Sequence, residues 1–188
     1  MGDGIAAAVE ALRRGALVVY PTDTLLGLGA LAGHRAAVRR LLAVKGRTLT
    51  QPVSVCVSST EEVERFARVS PAARRFLRRY LPGPYTILLI PSPEGRHAFA
   101  PSVGGFRAVG FRVPDHPVAR ELARRAGPIT ATSANRHGVA PTRSVAAARR
   151  ALGREVACYL PARPKGSGVP STLVDLTGPA ARGLLRRS

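Results

Sequence analysis

A chain of 188 residues with 29 Lys+Arg, 11 Asp+Glu and a formal net charge of +18 can bury one core, and 45% hydrophobic content argues against wholesale disorder. No apolar run approaches the roughly 20 residues of a membrane-spanning helix, and the start, Met1-Gly2-Asp3-Gly4, lacks the basic and apolar regions of a secretory signal. Two cysteines, Cys56 and Cys158, are too few for a disulfide framework; both lie in apolar, strand-like contexts and read as buried thiols in a reducing, intracellular setting.

Asp3 reads as the cap of a helix through about Arg14, with Gly15 as its stop. Ala16 to Tyr20 is a short continuous apolar run, typical of a buried strand, and Pro21-Thr22-Asp23-Thr24 ends it. Leu25 to Leu31 is rich in Leu and Gly and favours neither state. His34 to Val44 is a basic amphipathic helix, Lys45 to Gln51 a loop, Pro52 to Val57 a strand and Ser59 to Ala67 a helix. Ser70-Pro71 supplies the cap and first turn of a helix through Tyr80. The rigid turn Leu81-Pro82-Gly83-Pro84 feeds a strand, Tyr85 to Ile90, and Pro91 to Gly105 is the longest loop-like stretch. Arg107 to Val113 has the alternating character of a strand. Pro117 to Ala126 is a helix, Ile129 to Thr132 a strand and Ser144 to Leu152 a helix. Val156 to Leu160 and Thr172 to Leu176 are strands separated by a basic Gly/Pro loop, Pro161 to Pro170, and Gly183 to Arg187 forms a last edge strand. Helices and strands alternate, so the expectation is a single α/β layered domain over residues 1–188, with no internal repeat.

Four segments read as strands giving way to polar or Gly-containing loops: Pro21-Thr22-Asp23-Thr24, Lys45-Gly46-Arg47, Ser133-Ala134-Asn135 and Ser171-Thr172. In open α/β sheets such carboxyl ends are where ligands bind. Lys45-Gly46-Arg47 offers two cations, and Ser133-Ala134-Asn135 a hydroxyl and an amide. Brought together, they would hold a phosphate-bearing ligand and its sugar. The chain has two lysines, Lys45 and Lys165, against 27 arginines, so a compact ammonium stands at Lys45 where an arginine fork is the norm. Taken alone, Lys-Gly-Arg is an ordinary solvated turn and Ser-Ala-Asn an ordinary turn or cap. There is no P-loop, so any ATP site is of a non-Walker kind, no Gly-x-Ser-x-Gly elbow and no Cys/His cluster at metal-ligand spacing. The charge has two readings: a surface for a polyanionic partner, or a solvated, arginine-biased surface. Absence of Trp and 5% aromatics argue against a stacking platform for single strands, so RNA contact would rest on shape and backbone.

In order, these segments resemble those of the YrdC/YciO-like family along essentially the whole chain. The matching stretches are Tyr20-Pro-Thr-Asp-Thr24 with Gly27-Leu-Gly29, Lys45-Gly-Arg47 with Pro52, Leu81-Pro-Gly-Pro-Tyr-Thr86 and Val109-Gly-Phe-Arg-Val-Pro-Asp-His-Pro117. Thr132-Ser-Ala-Asn135, Ser171-Thr-Leu-Val-Asp175 and Leu185-Arg186 complete the set. The resemblance implies a twisted open sheet of mixed strands, flanked by helices, with a concave basic face. In the YrdC branch it implies ATP-dependent synthesis of L-threonylcarbamoyladenylate from L-threonine and bicarbonate, by a cytoplasmic nucleotidyltransferase of the threonylcarbamoyl-AMP synthase type, for the t6A modification of tRNA. It further implies that Lys45 and Arg47 hold the triphosphate, that Ser133 and Asn135 bind nucleotide phosphate or ribose, and that Arg186 reaches the nucleotide from the chain end. Thr24, Arg112 and Ser171 would line the threonine site, Arg112 gripping the carboxylate as a bidentate fork. Mg²⁺ is expected with ATP, held mainly by phosphates, and Asp23 is a weak candidate ligand. A threonylcarbamoyl transferase and tRNA or double-stranded RNA are the expected macromolecular partners, and a membrane is not.

The chain departs from the family pattern at Leu26, commonly Tyr; at Thr48, frequently Pro; at Cys56, His in some synthases; and at Arg187, usually Pro. Pro52 to Val57, Phe66 to Ser70 and Tyr80 to Thr86 are closer to the YciO branch. Two alternatives therefore stand beside the synthase: an RNA-binding or ribosome-associated module without catalysis, and a paralogous nucleotide-binding enzyme with another substrate. The resemblance is to the short, single-domain form.

Overall fold

The structure, a computed structural model, describes residues 2–48, 50–103, 107–142, 144–161, 166–178 and 182–185. Its helices are α1 (Gly2–Arg13), α2 (Arg35–Lys45), α3 (Thr60–Phe66), α4 (Pro71–Tyr80), α5 (Pro93–Ala98), α6 (Pro117–Ala126) and α7 (Val145–Leu152). Its strands are β1 (Val18–Tyr20), β2 (Gly27–Gly29), β3 (Ser54–Cys56), β4 (Ala67–Arg68), β5 (Tyr85–Pro91), β6 (Val109–Arg112), β7 (Ile129–Ser133), β8 (Cys158–Tyr159), β9 (Thr172–Asp175) and β10 (Arg182–Leu185). The sheet runs β10-β9-β5-β6-β3-β7-β2-β1-β8, with β4 paired to β5. Pairing is parallel for β3 with β6, β5 with β9 and β1 with β8, and antiparallel elsewhere, so the expected mixed open sheet flanked by helices is what forms.

Register decides which residues share a face, because side chains alternate across a strand. Val19 pairs with Leu28, and Val55 with both Thr130 and Phe111; this face carries Val19, Leu28, Val55 and Phe111 into a large apolar core with α2, α3, α4 and α7. On the opposite face, Val18, Tyr20, Cys56 and Ile129 pack with Leu12 of α1 and Leu122 of α6 in a smaller core. That smaller core covers only part of its face. The pairs Gly27 with Ser133 and Ser54 with Ala131 continue the same face beyond it, and there the sheet is the floor of a cavity.

The Leu/Gly segment that favoured neither state becomes β2, and its glycines are required by a close approach. A Cβ on Gly27 would lie 2.6 Å from the Tyr20 ring, and one on Gly29 would lie 3.0 Å from it. Three expectations change. The stretch Pro91 to Gly105 is not all loop: Pro93–Ala98 is helical, started by Ser92, whose hydroxyl accepts from the Gly95 N–H at 3.1 Å. Strand β6 does not alternate in burial, since all four of its residues are buried. α1 begins at Gly2, before Asp3. Of the two thiols, Cys56 is buried and Cys158 only half-buried.

Candidate active site

The uncovered part of the sheet face and the loops around it enclose a cavity of about 480 Å³, whose lining includes Thr24, Lys45, Arg47, Arg112, Ser133, Asn135 and Ser171. Seven of the eight residues expected to act are therefore brought together. The eighth, Arg186, lies outside the described residues, as does Arg187.

At one end stands Lys45. It is the last residue of α2, so Lys45-Gly46-Arg47 closes a helix and not a strand. Gly46 takes the left-handed conformation (φ 68°), its N–H donating to Ala43 O at 2.9 Å and the Arg47 N–H to Leu42 O at 2.9 Å. This is the usual glycine termination of a helix, and it turns the chain so that Arg47 follows into the cavity wall. The Lys45 side chain is 1% exposed, and its Nζ donates to the carbonyls of Ser133 (2.5 Å) and Asn135 (2.7 Å). Main-chain bonds from His137 N–H to Lys45 O (2.7 Å) and from Ala134 N–H to Leu26 O (2.8 Å) lock the same turn. The Asn135 amide donates to the carbonyls of Arg136 and Val139, while its Oδ1 is buried without a hydrogen-bond partner. Burial, aided by the charge on Arg47, pushes the Lys45 ammonium down to about 7.

At the other end stands Arg112, the last residue of β6. Its Nη2 donates to Asp23 Oδ1 (2.9 Å) and to Thr24 Oγ1 (2.9 Å). Thr22 Oγ1 donates to Leu25 O at 2.6 Å. Its single proton being used, the 3.1 Å contact with Thr24 Oγ1 runs from Thr24 to Thr22. The order Arg112 to Thr24 to Thr22 to Leu25 is thus a directed chain that fixes the wall. Two groups remain open: Arg112 Nε and Asp23 Oδ2 are buried with no hydrogen-bond partner. Such groups are costly unless a ligand completes them, and a guanidinium N–H matches a carboxylate oxygen. Nearby, Ser171 Oγ lies 2.7 Å from Thr86 Oγ1. Ser171 precedes β9, so Ser171-Thr172 opens a strand where a strand end was expected.

Cys56 is paired in register with Arg112 but offers no nucleophile, because burial pushes its thiol up to about 12. Tyr20 is likewise pushed well up by burial, and its hydroxyl donates to Thr130 O at 3.0 Å. Leu26 lines the cavity. Among the described residues no group of three or more His, Cys, Asp and Glu stands close enough to hold a metal ion. Asp23, between the wall residues Thr22 and Thr24, is committed to Arg112. The side chains of the described residues therefore do not fit a resident metal site.

Several wall residues were not singled out from sequence. Thr22 and Thr86 lay inside quoted motifs with no signal of their own, residues 137–141 carried no assignment, and Pro170 read only as the end of a loop. None of the helices among the described residues is long and apolar enough to cross a membrane.

The profile of the Sua5/YciO/YrdC family, described as "Telomere recombination", matches residues 10–188. A protein of Mycobacterium tuberculosis is 41% identical over 180 residues, covering 95% of this chain and 82% of its own. The threonylcarbamoyl-AMP synthase of Chromohalobacter salexigens is 38% identical, covering 93% of each chain. Among solved structures, P. abyssi Sua5 complexed with L-threonine superimposes with a TM-score of 0.88 at 32% identity, covering 97% of this chain. This chain spans about half the length of that Sua5 (53%). E. coli YciO shares the fold, with a TM-score of 0.86 at 24% identity over 97% of this chain and 88% of YciO. On this match of sequence, fold and motif order, the chain belongs to the Sua5/YciO/YrdC family.

Proposed function

We propose that the protein is a nucleotidyltransferase that makes L-threonylcarbamoyladenylate from L-threonine, bicarbonate and ATP. The observation that carries this reading is the pairing, in one cavity, of a cationic end at Lys45 and Arg47 with a second cationic end at Arg112. The names of its relatives, and the threonine in the Sua5 structure, agree with it. Arg112, with its open Nε, would grip the threonine carboxylate, and Thr24 and Ser171 would place the amino acid. Lys45, Arg47, Ser133 and Asn135 would hold the nucleotide, with Arg186 added from the chain end. Threonine amine and bicarbonate combine to a carbamate with loss of water. A carbamate oxygen attacks the α-phosphorus, the bond to the β-phosphate oxygen breaks, and pyrophosphate leaves. Positioning of carbamate against phosphorus and neutralisation of phosphate charge supply the acceleration. Mg²⁺ would arrive on the phosphates of ATP, since the wall offers it no carboxylate set.

The product would pass to a threonylcarbamoyl transferase acting on tRNA in the cytoplasm. Direct contact with tRNA or double-stranded RNA is a second reading, favoured by the charge of +18 and by the exposed Arg75, Arg78 and Arg79 on α4. Salt-sensitive binding of structured RNA that survives Lys45→Ala would support it. The deciding experiment for the synthase is pyrophosphate release from ATP and bicarbonate with and without L-threonine. Threonine-dependent release that vanishes in Lys45→Ala is expected. ATP binding with no response to threonine would assign another substrate, and absence of ATP binding would leave only the RNA module.

A further inference from the structure

The Thr22–Thr24 wall is held from inside by Arg112 and from outside by a strap, residues 166–170. The Ser167 N–H donates to Asp23 O at 2.9 Å, and the Gly168 N–H donates to Thr24 O at 2.9 Å. These two bonds tie the strap to the backbone of the residues whose side chains meet Arg112. Approach is as close as a main chain can make it at Gly166, where a Cβ would fall 2.4 Å from Thr24 O and 2.6 Å from Thr22 O. Both of those obstacles are backbone, which cannot swing aside as a side chain would. Gly168 adopts φ 79°, a conformation that side-chain-bearing residues avoid. On its outer flank the strap borders a second cavity of about 590 Å³, lined among others by Tyr80, Asp115 and Val169. Val169 is 59% exposed on that flank. Thr24 and Pro170 line both cavities.

We propose that Gly166 and Gly168 are positioning residues for the amino-acid end: the 166–168 strap sets the Thr22–Thr24 wall, and through Thr24 Oγ1 it sets the orientation in which Arg112 receives a carboxylate. The inference rests on the amino-acid reading of that end. It differs from a general stabilising role in what it predicts. Both main-chain bonds of the strap fall on the wall next to Arg112, at Asp23 and Thr24. Loosening it should therefore weaken the amino acid and spare the nucleotide.

The test compares Gly166→Ala with wild type in pyrophosphate release, titrating L-threonine at saturating ATP and then ATP at saturating L-threonine. The expected result is a rise in KM for threonine of about tenfold or more, with KM for ATP within about twofold, as fits loss of positioning at one end. Ser167→Ala, which keeps the N–H bond to Asp23, should match wild type, and Ser167→Pro, which deletes it, should behave like Gly166→Ala. Hydrogen exchange of the Ser167 and Gly168 amides gives a readout independent of turnover: L-threonine should slow it in wild type and not in Gly166→Ala. Equal threonine KM in Gly166→Ala and wild type would overturn the proposal. So would parallel losses of threonine and ATP affinity with a lowered melting temperature, the mark of a merely structural strap. A wild type that binds ATP yet shows neither threonine-dependent release nor threonine-dependent exchange would instead remove the amino-acid reading on which the proposal stands.

Discussion

The two ends of the cavity are built on different principles. At the Lys45 end, a buried ammonium is held by main-chain carbonyls, and neighbouring main-chain bonds shape the turn before any ligand arrives. At the Arg112 end, side chains hold one another through an ion pair and a run of hydroxyls, and Arg112 Nε and Asp23 Oδ2 are left open. The first is a preformed cradle suited to phosphate, which any nucleotide supplies. The second is a network with one donor, Arg112 Nε, and one acceptor, Asp23 Oδ2, still open; on the proposed reading a carboxylate would meet the donor and an N–H the acceptor, and selectivity is expected there, because a wrong ligand leaves buried polar groups unpaired. Of the departures from the family pattern, Leu26 lines the cavity and Cys56 pairs in register with Arg112, at the end where selectivity is expected.

The contrast can be broken most severely at Arg112. Arg112→Ala should lower threonine-dependent turnover about 10³-fold and destabilise the fold by about 3 kcal/mol, because Asp23 is left buried and uncompensated. Steady-state kinetics and denaturant unfolding read the two effects, and full stability in the variant would contradict the network described. Arg112→Ala combined with Asp23→Asn should recover stability and not activity.

Next in size is Lys45→Ala, expected to reduce turnover about 10²-fold. The loss should concentrate in nucleotide binding, which isothermal titration with ATP can separate from threonine binding. Equal weakening of both ligands would erase the distinction between the ends.

The depressed pKa of Lys45 adds a pH test with a definite sign. The folded value, about 7, lies below the ordinary lysine value of 10.5, so between these values the unfolded chain binds more protons than the folded one. Stability should therefore rise with pH across this window, by at most about 1.4 kcal/mol per pH unit. Lys45→Met, which cannot titrate, should lack that rise. Chemical unfolding of both proteins at pH 7 and pH 9 checks it, and parallel curves would show that the ammonium stays charged on its two carbonyls.

Smaller effects should sharpen the contrast. Thr86→Val removes the partner of Ser171 and should raise threonine KM severalfold, the worth of about 1 kcal/mol for one hydrogen bond, with ATP KM unchanged. Gly46→Ala meets nothing within 4 Å, so its cost is backbone strain alone, about 1 kcal/mol, read as a drop in melting temperature of several degrees.

Most elements were legible because their signals are local. Ser59, Ser70 and Ser144 each cap the helix that follows, accepting from an N–H three residues on, and the apolar run before Pro21 is strand β1. What was missed depends on neighbours distant in sequence. Strand β2 exists because β1 and β7 lie on either side of it, and β6 is buried throughout because β3 and β5 flank it, the large core takes Val109 and Phe111, and Ser54 and Thr86 lie over Gly110. Helix α5 is only six residues long, too short for periodicity to announce it.

For the site, sequence determined the inventory: which cations, hydroxyls and amides the chain carries, and that its ordered motifs match one family. Tertiary structure decided what each can do. Lys45 became a buried strut on two carbonyls because α2 ends against the turn after β7, 88 and 90 residues away in the chain. Arg112 became the anchor of the Thr22–Thr24 wall because β6 delivers it to Asp23 and Thr24 across 89 and 88 residues. Residue identity sets which hydrogen bonds and charges are available, but burial and partner geometry set their strength and their protonation, and those are properties of the packed chain.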